Sequence, residues 1–199
     1  KIAPAFNFTD GIISTARNIA ARYNSDEPHH RNVEKNCLLL FDAVKKQNNL
    51  TKHDKLLLQI SAILHNCGNF INMNAVGENS YKIVMSTEII GLSHKERVMV
   101  AYMIRYLDSS FPKYAEISDV FSQQEFIKLN SILLLADAMD RSHKQKFANT
   151  TVYLRGSKLL ITGKTLYDIT LEQGIFDNNS DFFEELYGIK PILKQKKEF

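Results

Sequence analysis

The sequence has no tryptophan, two cysteines and four prolines among its 199 residues. Two thiols, Cys37 and Cys67, are too sparse to form a disulfide framework, so both are expected to be buried and reduced, as in the cytoplasm. No apolar run approaches the roughly 20 residues that a membrane-crossing helix needs. Nothing near Lys1 reads as a signal peptide, and a start at Lys rather than Met is expected of a fragment or a processed product. The net charge of +3 is mild and does not by itself argue for nucleic acid. A glycine-rich, phosphate-cradling loop between strand and helix is also missing, along with the βαβ pattern around it. What remains is a chain long enough to bury a real core, as one domain or as a domain with an appendage.

Helical periodicity fills the first three quarters. Ile12, Ala16, Ile19, Ala20 and Tyr23 share one face behind Thr9 or Asp10 as cap. A second helix starts at Asp26–Pro28 and carries Val33, Cys37, Leu40, Phe41 and Val44. His30 lies about one turn before Val33 and is expected on the inward side. The stretch Leu56–Asn69 is the apolar centre of the chain. It opens on a Thr51-x-x-Asp54 capping box, buries Leu56, Leu57, Ile60, Ile63 and Leu64, and delivers His65-Asn66 to a helix end before Gly68. Residues 69–79 are Asn-rich and read as a surface loop. Tyr81, Val84, Met85 and Ile89 mark a fourth helix with Gly91 as its stop. Ser93–Glu96 and Ser122–Glu125 are capping boxes for two more, the first ending before Pro112 and the second bringing Asp137 near its end.

Near Thr150 the period changes to two. TTVYLRGSKLLITG predicts a hairpin turning at Gly156-Ser157, LYDITLE a third strand, DFFEELYG a short helix, and the lysines beyond it a solvated tail. The expected fold is mainly α: a helical domain over residues 1–149 with a small α+β piece over 150–199.

The polar residues on apolar faces carry the chemistry. His30, His65 and Asp137 stand on three helices whose same sides are otherwise apolar, and their side chains suit a divalent metal. A helix ending in His plus a carboxylate resembles the way phosphohydrolases of the HD superfamily place two metal ligands. Here Asn66 occupies the carboxylate position; it keeps the oxygen and loses the charge, so a degenerate site with weak affinity for Mg, Mn or Fe and no firm cofactor is expected. Arg105, Arg141, His143, Lys144 and Lys146 are the candidate anion-binding residues, with Arg offering a planar fork and Lys a mobile point charge. Cys67 stands beside His65, but nothing near it completes an acyl-transfer site. Basic and aromatic residues do not interleave along the chain, so no nucleic-acid partner is expected.

The run LLLADAMDRSHKQKF, together with ARYNSDEPHHRNV, LLLFDAV, ILHNCGNFI, NSYKIV, GLSHKERVMVAYMIRY and FFEELYGIKP, resembles the C-terminal region of exopolyphosphatase/guanosine pentaphosphate phosphatases (Ppx/GppA). The resemblance spans nearly the whole chain and implies an HD-like helical bundle. It also implies that hydrolysis belongs to N-terminal actin-like domains, and that this region binds a polyanion (polyphosphate or a guanosine polyphosphate) and builds a homodimer in the cytoplasm. Relatives carry further histidines where Asn79 and Leu107 stand here. The alternatives from other classes are a working metal-dependent HD phosphohydrolase and a module that senses a guanosine polyphosphate.

Overall fold

The computed structural model describes residues 8–107 and 121–197. Helices α1 (Phe8–Arg22), α2 (Glu27–Val44) and α3 (Lys52–Leu64) come first. A 3-10 turn at Cys67–Phe70 follows, then α4 (Val76–Ser86), α5 (His94–Arg105) and α6 (Gln123–Ala138). The chain closes with β1 (Thr150–Arg155), β2 (Lys158–Lys164), α7 (Thr170–Tyr187) and β3 (Lys190–Lys196). The protein is therefore mainly α with a small three-stranded sheet, as the periodicity predicts. None of the described helices is long and apolar enough to cross a membrane.

Local chemistry sets the helix ends. Thr51 and Asp54 form the reciprocal capping box at α3, and Ser93 and Glu96 form the one at α5. Ser122 accepts from Glu125 N at 3.5 Å at the start of α6. Pro112 lies outside the described residues. The core is centred on α3, whose Leu57, Leu58, Ile60, Ala62, Ile63 and Leu64 are fully buried. Helix α3 packs against α1, α2, α5 and α6. Burying such aliphatic side chains contributes roughly 1.5–3 kcal/mol each before conformational entropy is counted.

Four expectations require correction, the first being the fourth helix: α4 ends at Ser86, so Ile89 and Gly91 lie beyond it. Residues 69–79 are not a plain surface loop: the 3-10 turn and the first residues of α4 occupy part of them, and Gly77 and Asn79 are buried. The turn approaches α4 so closely that Gly68 N donates to Ser80 Oγ at 2.8 Å. LYDITLE does not add a strand. Its second half is the first turn of α7, because Asp168 accepts from Thr170 N and Oγ1, and because Glu172, Phe176, Ser180, Phe183 and Tyr187 recur at helical spacing as buried residues. The basic tail is not solvated chain but β3, which pairs parallel with β2 in the register Leu159↔Pro191 and Ile161↔Leu193. The hairpin turns where expected, with Arg155 paired to Lys158 and Gly156 at φ 58°.

The sheet has the order β1-β2-β3. Leu159, Ile161, Pro191 and Leu193 point inward toward the core, while α7 lies between α6 and β3. Phe147, fully buried, lies directly over Gly163 and so fixes the chain leaving α6 against β2.

Candidate functional site

Three helix ends meet at one pocket. At the start of α2, Asp26 is the N-cap, its Oδ1 accepting from His29 N at 3.2 Å, and Pro28 stands in the first turn. This fixes His29 in that turn, where it is buried. At the end of α3 the carbonyl of His65 accepts from Ser80 Oγ at 2.9 Å, which ties the C-cap to α4. Near the end of α6 stands Asp137, followed one turn later by Asp140, and both are buried.

The protonation pattern of the two imidazoles follows from their partners. His65 Nδ1 lies 2.7 Å from Ala62 O, and a carbonyl only accepts, so Nδ1 carries the hydrogen. His29 Nδ1 lies 2.9 Å from Asp140 Oδ2 and donates to it. With Nδ1 carrying the hydrogen, each ring when neutral presents a bare Nε2 lone pair, and the two Nε2 atoms are 2.9 Å apart. Asp137 Oδ1 lies 3.5 Å from His65 Nε2 and 3.8 Å from His29 Nε2. Two lone pairs and a carboxylate oxygen at such distances repel unless a proton or a cation lies among them. Burial holds the His29 pKa below its ordinary value, against the opposing pull of Asp140. Burial raises the Asp137 carboxyl, but a proton on the imidazole pair, with the hydrogen bond from His65 and the positive charge at His65 and His29 that it brings, together with the Arg141 guanidinium, outweighs burial and holds the pKa at about 2.

The set fits a divalent cation. Two atoms that each bind one ion at about 2.1 Å cannot be more than about 4.2 Å apart, and all three separations satisfy that limit. Asp140 behind His29 fixes the tautomer and orientation in the way outer carboxylates hold metal-ligating histidines. The pocket in front measures about 280 Å³ and is lined also by Asn66, Asn69, Leu107, Arg141 and His143. His143 lies on His29, ring centroids 3.5 Å apart and planes 7° from parallel, and its Nδ1 bonds Asp26 Oδ2 at 2.8 Å.

The family model for the Ppx/GppA phosphatase, domain III, matches residues 13–187. The chain belongs to the Ppx/GppA phosphatase family. No significant match to a curated protein accompanies it.

Within this Ppx/GppA domain III the expected site residues divide. His65, Asn66, Asp137, Arg141 and His143 all line the pocket. His30 does not: it faces a different cavity, beside Arg17 and Ser25, and its buried Nδ1 has no partner among the described residues. Burial first, then the nearby charges of His65, Arg17 and Arg31, push its pKa down to about 4. The residue that joins His65 and Asp137 is His29. Counting back from Val33, three residues give His30 and four give His29; the stripe through Val33 and Cys37 has the four-residue step. Asp140 also went unread, although it stands three residues after Asp137 and so on the same face. Asn66 is buried with Nδ2 unpartnered among the described residues, so the position offers an amide and no charge. Leu107 lines the pocket, whereas Asn79 reaches toward Asn72 O at 3.4 Å.

Of the other candidate cations, Arg105 and Lys146 are engaged elsewhere. Arg105 pairs with Glu78 at 2.7 Å and lies over the Tyr81 ring at 4.8 Å. Lys146 reaches the fully buried Glu172 at 3.0 Å, and Lys144 is exposed. Arg141 bonds Asp137 Oδ2 at 3.2 Å, so its guanidinium stands at the edge of the ligand set. Burial pushes the Cys67 thiol up to about 11, which opposes a nucleophilic role.

Proposed function

We propose that this chain is the C-terminal accessory region of an exopolyphosphatase-type protein and binds the phosphate groups of polyphosphate or a guanosine polyphosphate at the pocket of His29, His65 and Asp137. The two bare Nε2 atoms facing each other at 2.9 Å beside Asp137 carry this reading. They favour a cation, and Asn66 in the remaining polar position keeps its affinity low. A divalent ion held by His29, His65 and Asp137 would supply a positive anchor for phosphate oxygens. Arg141 offers its fork beside that anchor, and His143 closes one wall. Hydrolysis in this reading belongs to the actin-like domains of the family, working in the cytoplasm. The exposed Phe70, Ile71 and Met73 beside the pocket support a surface turned toward a partner subunit.

A second reading, a working HD-type phosphohydrolase, is favoured by one observation: Asp140 orients His29 as a metal-site carboxylate does. Calorimetric titration with Mn²⁺ and with polyphosphate separates the two. The accessory reading expects weak Mn²⁺ binding that disappears in His29→Ala and His65→Ala and strengthens in Asn66→Asp. It also expects polyphosphate binding that falls with salt, is weakened by Arg141→Ala more than by Lys144→Ala, and yields no turnover. Mn²⁺-dependent release of phosphate that His65→Ala abolishes would replace it with the hydrolase reading. Mn²⁺ binding untouched by both histidine substitutions would overturn both.

A further inference from the structure

The outward face of the sheet is as ordered as the inward one. Alternation places Thr151, Tyr153 and Arg155 of β1 on it. Lys158, Leu160, Thr162 and Lys164 of β2 share that face with Lys190, Ile192, Lys194 and Lys196 of β3. The register aligns these residues in rows: Arg155↔Lys158↔Lys190 along one end, Tyr153↔Leu160↔Ile192 across the middle, and Thr151↔Thr162↔Lys194 beyond. Every charged residue on the three strands is Lys or Arg, none is acidic, and all six fall on this face. Glu184 of α7 reaches Lys190 at 3.5 Å, while Arg155, Lys158 and Lys194 are exposed and have no ion-pair partner among the described residues. Tyr153, in the middle row on edge strand β1, is 66% exposed.

A solubilising edge explains some lysines. It does not explain an exposed tyrosine on the edge strand whose row continues through Leu160 to Ile192, with three cations in the row on one side and Lys194 in the row on the other. At normal strand spacing the face measures roughly 10 by 20 Å. A flat apolar platform with cations on both sides matches a chain whose backbone is anionic and whose side groups are flat and apolar. Bases stack on aromatic rings while the phosphates pair with the flanking lysines. Polyphosphate satisfies only the charges and makes no use of the central row. We infer that this sheet face binds single-stranded nucleic acid, a site separate from the His29–His65–Asp137 pocket. The interleaving of basic and aromatic residues, missing along the chain, arises across strands.

The test is fluorescence anisotropy of the 199-residue chain with a labelled 12-nucleotide single strand of mixed sequence, its duplex and unlabelled polyphosphate as competitor. Binding to the single strand is expected to exceed binding to the duplex. Its log–log salt slope should be about −0.7 for each phosphate neutralised. Tyr153→Ala should weaken binding about tenfold, Tyr153→Phe should preserve it, and Lys158→Gln with Lys194→Gln should flatten the slope. Unfolding curves matching the parent chain confirm that each variant is folded; if Tyr153→Ala fails to fold, Tyr153→Ser and the lysine pair carry the test. Equal binding of duplex and single strand, binding indifferent to Tyr153, or capture of polyphosphate alone would each overturn the inference.

Discussion

Replacing Gly68 by Ala should be among the most damaging single-methyl changes available to this protein. A Cβ at residue 68 would lie 2.3 Å from Ser80 N, 2.4 Å from Val76 O and 2.8 Å from Asn79 C. All three are backbone atoms of α4, so no side chain can rotate away. Normal contact lies near 3.5 Å, and relief needs a shift of about 1 Å between the 3-10 turn and α4. Overpacking of this kind costs about 1–3 kcal/mol. The same shift stretches the buried relay in which Gly68 N donates to Ser80 Oγ and Ser80 Oγ donates to His65 O. Each bond lost there adds about 1 kcal/mol. The expected loss is about 3–5 kcal/mol, a large part of the 5–15 kcal/mol that ordinarily separates folded from unfolded. Urea titration followed by circular dichroism measures it. Gly174→Ala is the matched control: residue 174 is exposed within α7 with nothing within 4 Å of the added Cβ, so the change should stabilise by about 0.5–1 kcal/mol. A loss below about 1 kcal/mol for Gly68→Ala, or the same sign for both variants, would refute the reasoning.

Ile63→Ala and Leu133→Ala remove fully buried side chains and should each cost about 2–5 kcal/mol in the same titration, with costs below about 0.5 kcal/mol at both contradicting the packing described. Stability should also fall as pH drops from about 6.5 toward 4. His30 binds its proton near 6.5 when unfolded and near 4 when folded, so in that window the unfolded state holds more protons; the loss from this residue is at most about 3 kcal/mol and saturates below pH 4. His29, also shifted downward, adds slope of the same sign, whereas Asp137 titrates below this window. Denaturation at pH 7 and pH 4.5 tests the point, and a slope unchanged in His30→Gln would assign it elsewhere.

Much of the helical frame was legible because capping and periodicity agreed, as at Thr51–Asp54 with the buried stripe from Leu56 to Leu64 behind it. The sequence misled where a short-range signal competed with a longer one. Alternation through LYDITLE suggested a strand, yet the four-residue spacing from Glu172 to Phe176 and Ser180 continued into a helix of 18 residues. Strand β3 was hidden because it has only two buried positions, Pro191 and Leu193, among lysines. At the site, His65 and Asp137 were readable from their apolar helices. His29 was not, because adjacent residues on a helix differ by about 100° and the buried stripe of α2 mixes four-residue steps, which lead back from Val33 to His29, with three-residue steps, which lead back to His30. The choice is set by the Asp26 cap and by Asp140, a partner 111 residues away.

The stacking of His143 on His29 gives Asp26 a second consequence. One carboxylate caps α2 through Oδ1 and holds His143 through Oδ2. The first turn of a helix is where fraying begins. Opening that single turn would withdraw His29 from His65 and Asp140 together, while the apolar stretch from Val33 to Val44 stayed docked on α3 and α6. The lifetime of the assembled pocket is thus a local helix–coil matter, shorter than that of the fold. Amide exchange at His29 and His30 should report it well before the amides of Leu40 and Phe41 open.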